Sequence, residues 1–446
     1  MLAELQRRSY YYNLDRKKEL IEYLNTLGTD IEKTYTITDS TGWIDGCYVA
    51  QNKTYSINGN SDLKFRDVEP LKDATSQIRG TLAEWQEHIG AKCADNSRLI
   101  FAIGTGLAAL LQPLLNVESG GFHIVGPTSV GKTTMLKVAA SVVGIKDIPH
   151  WRTTTNGLES IACAHNHMLL PLDEIGQAEN KEVGNIAYML ANGYGKTRMN
   201  KNLTNRKAKI WQLLFLSSGE VGIGAYMALA GVILKGGQEV RLPDVPAVPF
   251  GSAFGIFESI HGYDSAKEFA ESLERATQKY HGTLLDTFLD KLVVETADEY
   301  FSNKLKRRLT EIARKLTVAT IDTAVARVSN RYALIQVALE HAHSYGLLPF
   351  PVENIEWAIT KMFADWLNGR GGDGSIEIKN AVARIRHLLV TSEHSDRVFT
   401  LPLNVNRGVR NLLAHRKENE AGETEELCVP TSVFDREICD GVNKSQ

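Results

Sequence analysis

Residues 121–137 read GFHIVGPTSVGKTTMLK, and no other stretch restricts the possible folds as much. The apolar segment 122–125 has strand character. A loop bracketed by glycines follows it, made of Gly126, Pro127, Thr128, Ser129, Val130, Gly131, Lys132 and Thr133, and behind the loop Leu136, Ala140 and Val143 recur at helical spacing. Strand, loop and helix in that order form a phosphate cradle. The glycines let backbone N–H groups curl around phosphate oxygens, and the helix N-terminus contributes the positive end of its dipole. In such a loop Lys132 reaches the β- and γ-phosphates, Thr133 offers its hydroxyl to Mg²⁺, and Thr134 is counted with the nucleotide-binding residues. The motif implies an α/β fold with ATP and Mg²⁺ as ligands.

A second informative stretch lies about forty residues on. HMLLPLDE, residues 167–174, is an apolar strand ending in adjacent carboxylates. On its own the pattern is as consistent with a solvated strand end, but after a phosphate loop it fits a hydrolytic site. Asp173 would then hold Mg²⁺ through water and Glu174 would polarise the attacking water. Beyond a helix over 183–192 comes YGKTRMNKNLTNRKAKI, residues 194–210, with Lys196, Arg198, Lys201, Arg206, Lys207 and Lys209 and no acidic residue. Its centre is rich in turn formers, so it reads as a β-hairpin whose cationic, amide-bearing tip suits a phosphate backbone. A solvated surface hairpin is the plain alternative. The next segment, WQLLFLSS at 211–218, is a buried strand ending in small hydroxyls. Ring ATPases place a residue that senses the γ-phosphate at that point, and Ser218 fits.

Composition enters as a limit. With 446 residues, 43% hydrophobic and 23% charged, the chain can bury two or three ordinary cores. A net charge of −3 means that a polyanion would have to be met by a local basic patch. The five cysteines (Cys47, Cys93, Cys163, Cys428 and Cys439) are scattered without a CxxC pair, which points to neither a disulfide framework nor a zinc site. The longest apolar run, residues 103–115, is interrupted by Gln112 and Pro113 and is short for a bilayer span; the opening residues MLAELQRRSYYY lack the core of a signal peptide. No membrane association and a cytoplasmic location are therefore expected.

The remaining chain arranges itself around the loop. A short helix over 14–28 is followed by alternating residues 35–57, punctuated by Thr41-Gly42, Asp45-Gly46 and Asn58-Gly59, which predict small antiparallel strands. Residues 1–80 thus read as a β-rich N-terminal module. Thr81 and Glu84 have capping-box spacing, and the helix over 98–115 is apolar nearly all round and is expected to pack on the sheet. Residues 151–155 read as a strand. The ATPase core is expected over 81–250, a helical lid over 251–368 and a Gly-rich linker over 369–375. Residues 376–446 suggest an incomplete winged-helix-like segment, with a helix over 376–390 and strand-like pieces near Val398 and Leu427.

Six stretches in this order, GPTSVGKTT, WRTTTNGLESIA, LLPLDEIGQ, AYMLANGYGKTRM, LLFLSSGE and GGQEVRLPDVPA, resemble the helicase-like ATPase domain of replication proteins from mobile genetic elements, a family similar to minichromosome-maintenance (MCM) helicases. The resemblance covers roughly residues 35–370. It implies an AAA+ ring, a hexamer by analogy, that pulls one DNA strand through its channel, with 3′ to 5′ movement favoured and a primase or origin-binding protein as a possible partner. Lys132, Thr133, Asp173 and Glu174 take the roles given above, Ser218 becomes the first sensor, and the hairpin becomes the DNA grip. MCM proteins usually carry Asn at the first sensor, and here it is Ser. Arg241, in GQEVRLPD at 237–244, stands where an arginine finger directed at the neighbouring subunit is expected, with a structural ion pair as the plain alternative. Arg331, or Arg327, stands where the lid would carry a second sensor. A protein remodeller or regulator using the same ATP site, or a monomeric P-loop kinase or nucleotide switch, remains the alternative to a helicase.

Overall fold

The computed structural model describes residues 14–27, 35–59, 61–66, 76–195, 198–199, 205–206, 209–232, 236–317, 322–372, 397–401, 412–419 and 424–434. Four strands form the central sheet: β1 (Gly120–Val125), β2 (Leu169–Leu172), β3 (Leu214–Gly219) and β4 (Asp244–Pro246). They are all parallel, in the order β4-β1-β3-β2. β2 and β3 are buried along their whole length, which is why they read as continuous apolar runs rather than as alternating ones. The order brings the C-terminal ends of β1, β2 and β3 side by side, the edge at which open α/β sheets bind ligands.

Among the described residues, nine longer helices frame this sheet: α1 (Ser97–Leu115), α2 (Lys132–Val143), α3 (Thr155–Ala164), α4 (Val183–Asn192), α5 (Ala266–Lys279), α6 (Thr283–Glu295), α7 (Phe301–Leu316), α8 (Thr323–Ser344) and α9 (Val352–Gly369). α1 is wedged between α2 and α8, and two glycines explain how. A Cβ on Gly104 would meet Ile335 Cγ2 at 2.5 Å, and one on Gly106 would meet Val142 Cγ1 at 2.8 Å. Length and apolarity would let α1 cross a membrane, but 89% of its apolar window is buried inside the protein. It is the central core helix. One apolar core runs from α1 and α2 through α5 to α9, joining Phe101, Phe122, Tyr332, Phe363 and Trp366. The region expected as a lid therefore packs directly on the central sheet and on α1 and α2.

Several details differ from the sequence reading. Residues 151–155 form no strand, because Thr154 caps α3 by accepting from Gly157 N, and strand-like contact is reduced to a bridge between His150 and Asp173. Arg370, placed in the linker, is buried in ion pairs with Glu239 at 2.9 Å and Asp322 at 3.0 Å, so the ordered body continues past residue 369. In the N-terminal module, Gly42–Ile44, Cys47–Val49 and Thr54–Tyr55 form the expected antiparallel sheet, but Thr36–Thr38 pairs with Leu63–Phe65 in parallel. The capping box at Thr81 and Glu84 is present in both directions. Near the C-terminus, Val398–Leu401, Ala414–Glu418 and Thr424–Cys428 form a three-stranded sheet; the helix expected over 376–390 lies outside the described residues.

The N-terminal module is seated on the core through the turn preceding β2. Trp43 N donates to His167 Nδ1 at 2.9 Å, Tyr48 OH donates to the His167 carbonyl at 3.1 Å, and Asn166 Nδ2 donates to Thr41 O at 2.7 Å. Burial pushes the His167 pKa down to about 4, which keeps the ring neutral and able to accept from Trp43.

Candidate functional site

The site is assembled at the C-terminal edge of the sheet. Gly126 opens the loop directly after β1, and its N–H donates to Gly219 O at the end of β3 at 3.2 Å. Ser129 and Gly131 hold positive φ values of 61° and 105°, the second of which glycine adopts without Cβ strain. The Lys132 ammonium donates back to Gly126 O at 2.7 Å and Pro127 O at 2.6 Å, folding across the cradle it would share with a phosphate. Burial lowers its pKa, and Glu174, Glu220 and Asp173 counter that shift by favouring the charge.

Two threonines follow Lys132, and the structure separates them. Thr134 is buried and its hydroxyl donates to Glu274 Oε1 at 2.8 Å, tying α2 to α5. Thr133 instead faces Asp173, with Oγ1 to Oδ2 at 3.4 Å. Ser218 closes the group by donating from Oγ to Asp173 Oδ1 at 2.5 Å and accepting from Glu174 N at 3.3 Å. Three residues from three separate segments thus meet at one carboxylate. Among the described residues no group of three or more His, Cys, Asp and Glu could hold a metal. A hydroxyl with a carboxylate is instead the donor set that Mg²⁺ uses when phosphate oxygens and water supply the other ligands.

Glu174 has a positive φ of 56° and its carboxylate accepts from Gly176 N at 3.3 Å, so it caps the following turn. Tyr226 fixes that turn by donating to Gly176 O at 2.9 Å and Ala178 O at 2.8 Å. Sequence reasoning missed Tyr226, and also missed His123, Asp244 and Glu220. His123 lies inside β1, with Nδ1 3.0 Å from Ser217 Oγ and Nε2 3.1 Å from Val221 O, and burial pushes its pKa down to about 4. Asp244 accepts from Ile223 N through both oxygens at 3.1 Å, and burial raises its pKa to about 7. A single polar residue inside the apolar run GFHIV and an acid directly after LLFLSSG were the available signals.

The opposite edge of the sheet holds the two arginines. Arg331 is buried and donates to Gly121 O at 3.1 Å, to Arg241 O at 2.9 Å and to Val240 O. Gly121 O belongs to the start of β1, separated from the loop by a strand of about 16 Å, and the other two carbonyls belong to the segment leading into β4, where Arg241 O also accepts from Gly121 N. In this chain Arg331, expected as a second sensor, stitches α8 to the sheet at the end away from its own loop. Arg327, one turn earlier on α8, is exposed. The Arg241 guanidinium donates to Asn192 Oδ1 at 3.2 Å and Gly237 O at 2.6 Å and lies 4.3 Å from the Tyr188 ring centre. It makes no contact with the loop of its own chain.

The basic hairpin is partly described. Arg198–Met199 pairs antiparallel with Asn205–Arg206, placing Arg198 opposite Arg206, and Tyr194 bridges Ile210 at its root. Lys209 Nζ donates to Ser160 Oγ at 2.7 Å. Lys196, Lys201 and Lys207 lie outside the described residues. The hairpin root and the N-terminal module line a cleft of about 1120 Å³ that also includes Arg241, Asn192 and Gln212.

The family of domain of unknown function DUF927 matches residues 1–210. No curated protein matches the chain. Among solved structures, one titled "SCCmec type IV Cch - active helicase" superimposes with a TM-score of 0.73 at 16% identity, covering 99% of this chain and 79% of that one. The two share a fold. The shared architecture extends over almost every residue of this chain, beyond the reach of the family model.

Proposed function

We propose that this chain is an AAA+ ATPase that assembles into a ring, most simply a hexamer, and couples ATP hydrolysis to movement on and unwinding of DNA during replication of a mobile genetic element. The observation that carries the reading is the meeting of Thr133, Asp173 and Ser218 beside Lys132 at the open edge of the sheet. The likeness of fold to a protein titled an active helicase supports it. In this reading Lys132 exchanges its loop carbonyls for the β- and γ-phosphates, and Gly126 to Thr134 supply the backbone cradle. Thr133 and Asp173 would hold Mg²⁺, which neutralises charge on the phosphates. Ser218 positions Asp173 and reports on the γ-phosphate, while Glu174 leaves Gly176 N to take a proton from the attacking water. Arg241 completes the site of the neighbouring subunit, and the hairpin with Arg198, Arg206 and Lys209 meets the phosphate backbone.

The test is strand displacement on forked duplexes carrying 3′ or 5′ tails, with ATP and Mg²⁺, run beside Lys132→Ala. Unwinding that requires ATP and vanishes in the variant is the expected result. ATPase activity that DNA neither stimulates nor couples to strand separation would favour a remodeller acting on a protein.

A further inference from the structure

Three carboxylates stand around Lys132, and two of them are engaged. Asp173 accepts from Ser218 and Thr133, and Glu174 accepts from Gly176 N. Glu220 is exposed and has no hydrogen bond or ion pair among the described residues. Its backbone is nevertheless fixed. Gly219 O accepts from Gly126 N, His123 holds Val221 O on the other side, and a Cβ on Gly219 would meet Ile175 Cγ2 at 2.5 Å and His123 Cε1 at 2.9 Å. Glu220 therefore leaves β3 one residue beyond the bond that joins this strand to the first residue of the phosphate loop.

A free carboxylate there repels a γ-phosphate, so for binding alone it is unfavourable. It becomes useful if a hydrogen-bond donor stands between it and the phosphate. The geometry points to Glu220 as a second water-holding carboxylate of the hydrolytic site, paired with Glu174. Water has two O–H bonds; with one donated to Glu174 and the other to Glu220, its lone pair is turned toward the γ-phosphorus. The water oxygen then bonds to phosphorus as the β–γ bridging P–O bond breaks and its electron pair departs on ADP. The proton passes to Glu174, and Glu220 keeps its hydrogen bond throughout. This inference rests on reading the site as an ATP hydrolase.

The experiment is steady-state ATPase kinetics of the full chain with Glu220→Ala and Glu220→Gln, beside Lys132→Ala and with melting temperatures. Glu220→Ala should lower kcat by about tenfold or more with KM for ATP unchanged or reduced, and Glu220→Gln, which keeps an acceptor oxygen, should recover part of the rate. A kcat for Glu220→Ala within about twofold of the unmutated chain overturns the assignment, as does equal loss in both variants, because charge alone would then be the cause. If Glu220→Ala does not fold, Glu220→Met, close in length and without an acceptor oxygen, takes its place beside Glu220→Gln with the same outcomes. Lys132→Ala keeps the two ideas apart. Undiminished ATPase in that variant defeats the site itself, whereas loss there with intact Glu220→Ala activity defeats only this inference.

Discussion

Lys132 and Arg331 are both buried cations that donate to backbone carbonyls, and they stand at opposite ends of the same strand. Burial disfavours the charge of each, lowering the Lys132 pKa and pushing Arg331 down to about 10. Their surroundings differ. Lys132 has three carboxylates around it and a loop that can exchange its carbonyls for phosphate oxygens. Arg331 has carbonyls from Gly121, Val240 and Arg241 and the face of Phe122 at 5.5 Å, and among the described residues no carboxylate forms an ion pair with it. In the proposed reading, the cation whose partners can be replaced binds a ligand, whereas the one whose partners are fixed backbone carbonyls holds the fold. Substitutions at the two ends should therefore give opposite phenotypes.

The largest effect is expected at the loop edge. Lys132→Ala should abolish ATP binding, and Glu174→Gln should retain binding while hydrolysis falls by about 10²-fold or more, since the glutamate acts only on the water. Equilibrium nucleotide binding beside single-turnover hydrolysis checks this, and equal loss of affinity in both would break the assignment. Next comes Arg241, which lies at the far edge yet makes no contact with its own loop. Arg241→Ala should bind ATP but hydrolyse it on the order of 10³-fold more slowly. Mixing it with Lys132→Ala subunits should restore some activity, because each variant supplies what the other lacks. Co-assembled mixtures that stay inactive would argue against a finger acting across subunits.

Arg331 offers the sharpest contrast. Arg331→Met should destabilise the chain by about 3 kcal/mol, because several buried carbonyls lose their donors, while the folded variant keeps near-normal ATP affinity. Denaturant melts and ATP titrations together decide; weak binding in a stably folded variant would return Arg331 to the nucleotide site. A smaller, pH-dependent effect follows from His123, His165 and His167, each with a pKa lowered to about 4 by burial. In the unfolded chain they titrate near 6.5, so between about 6.5 and 4 the unfolded state binds more protons and stability falls with falling pH, by up to ~1.4 kcal/mol per unit for each. A melting temperature unchanged across that window would show that the rings do not stay neutral. The smallest change belongs to the hairpin: replacing Arg198 and Lys201 by Ala should leave basal ATPase activity intact and flatten the salt dependence of DNA binding by about one unit of slope per lost phosphate contact.

Local patterns made the strands and helices at the loop edge legible. The apolar run into GPTSVGKTT, the acids after LLPL and the hydroxyls after LLFL each announce a strand that ends in chemistry, because the peptide geometry of a phosphate cradle leaves little freedom in residue type. The hairpin was legible for the same reason, since turn formers between basic segments have few other uses. One misreading came from a local cap and another from partners remote in sequence. The strand expected at 151–155 gave way to the cap on α3, and Arg370 was drawn from the expected linker by Glu239 and Asp322.

The sequence by itself determined that a phosphate loop, an acidic strand and a hydroxyl-ended strand occur in that order, which implies a parallel sheet and an ATP site. Only the tertiary structure decided that Glu274 takes the Thr134 hydroxyl, that Ser218 reaches the carboxylate Thr133 faces, and that Arg331 belongs to the far edge. The physical reason is range. Loop geometry and hydrophobic periodicity act over a few residues and are written in the local pattern. Whether a polar group meets a ligand or a carbonyl depends on strand order and on helices packed from over a hundred residues away, and a basic residue looks the same in sequence whichever it meets.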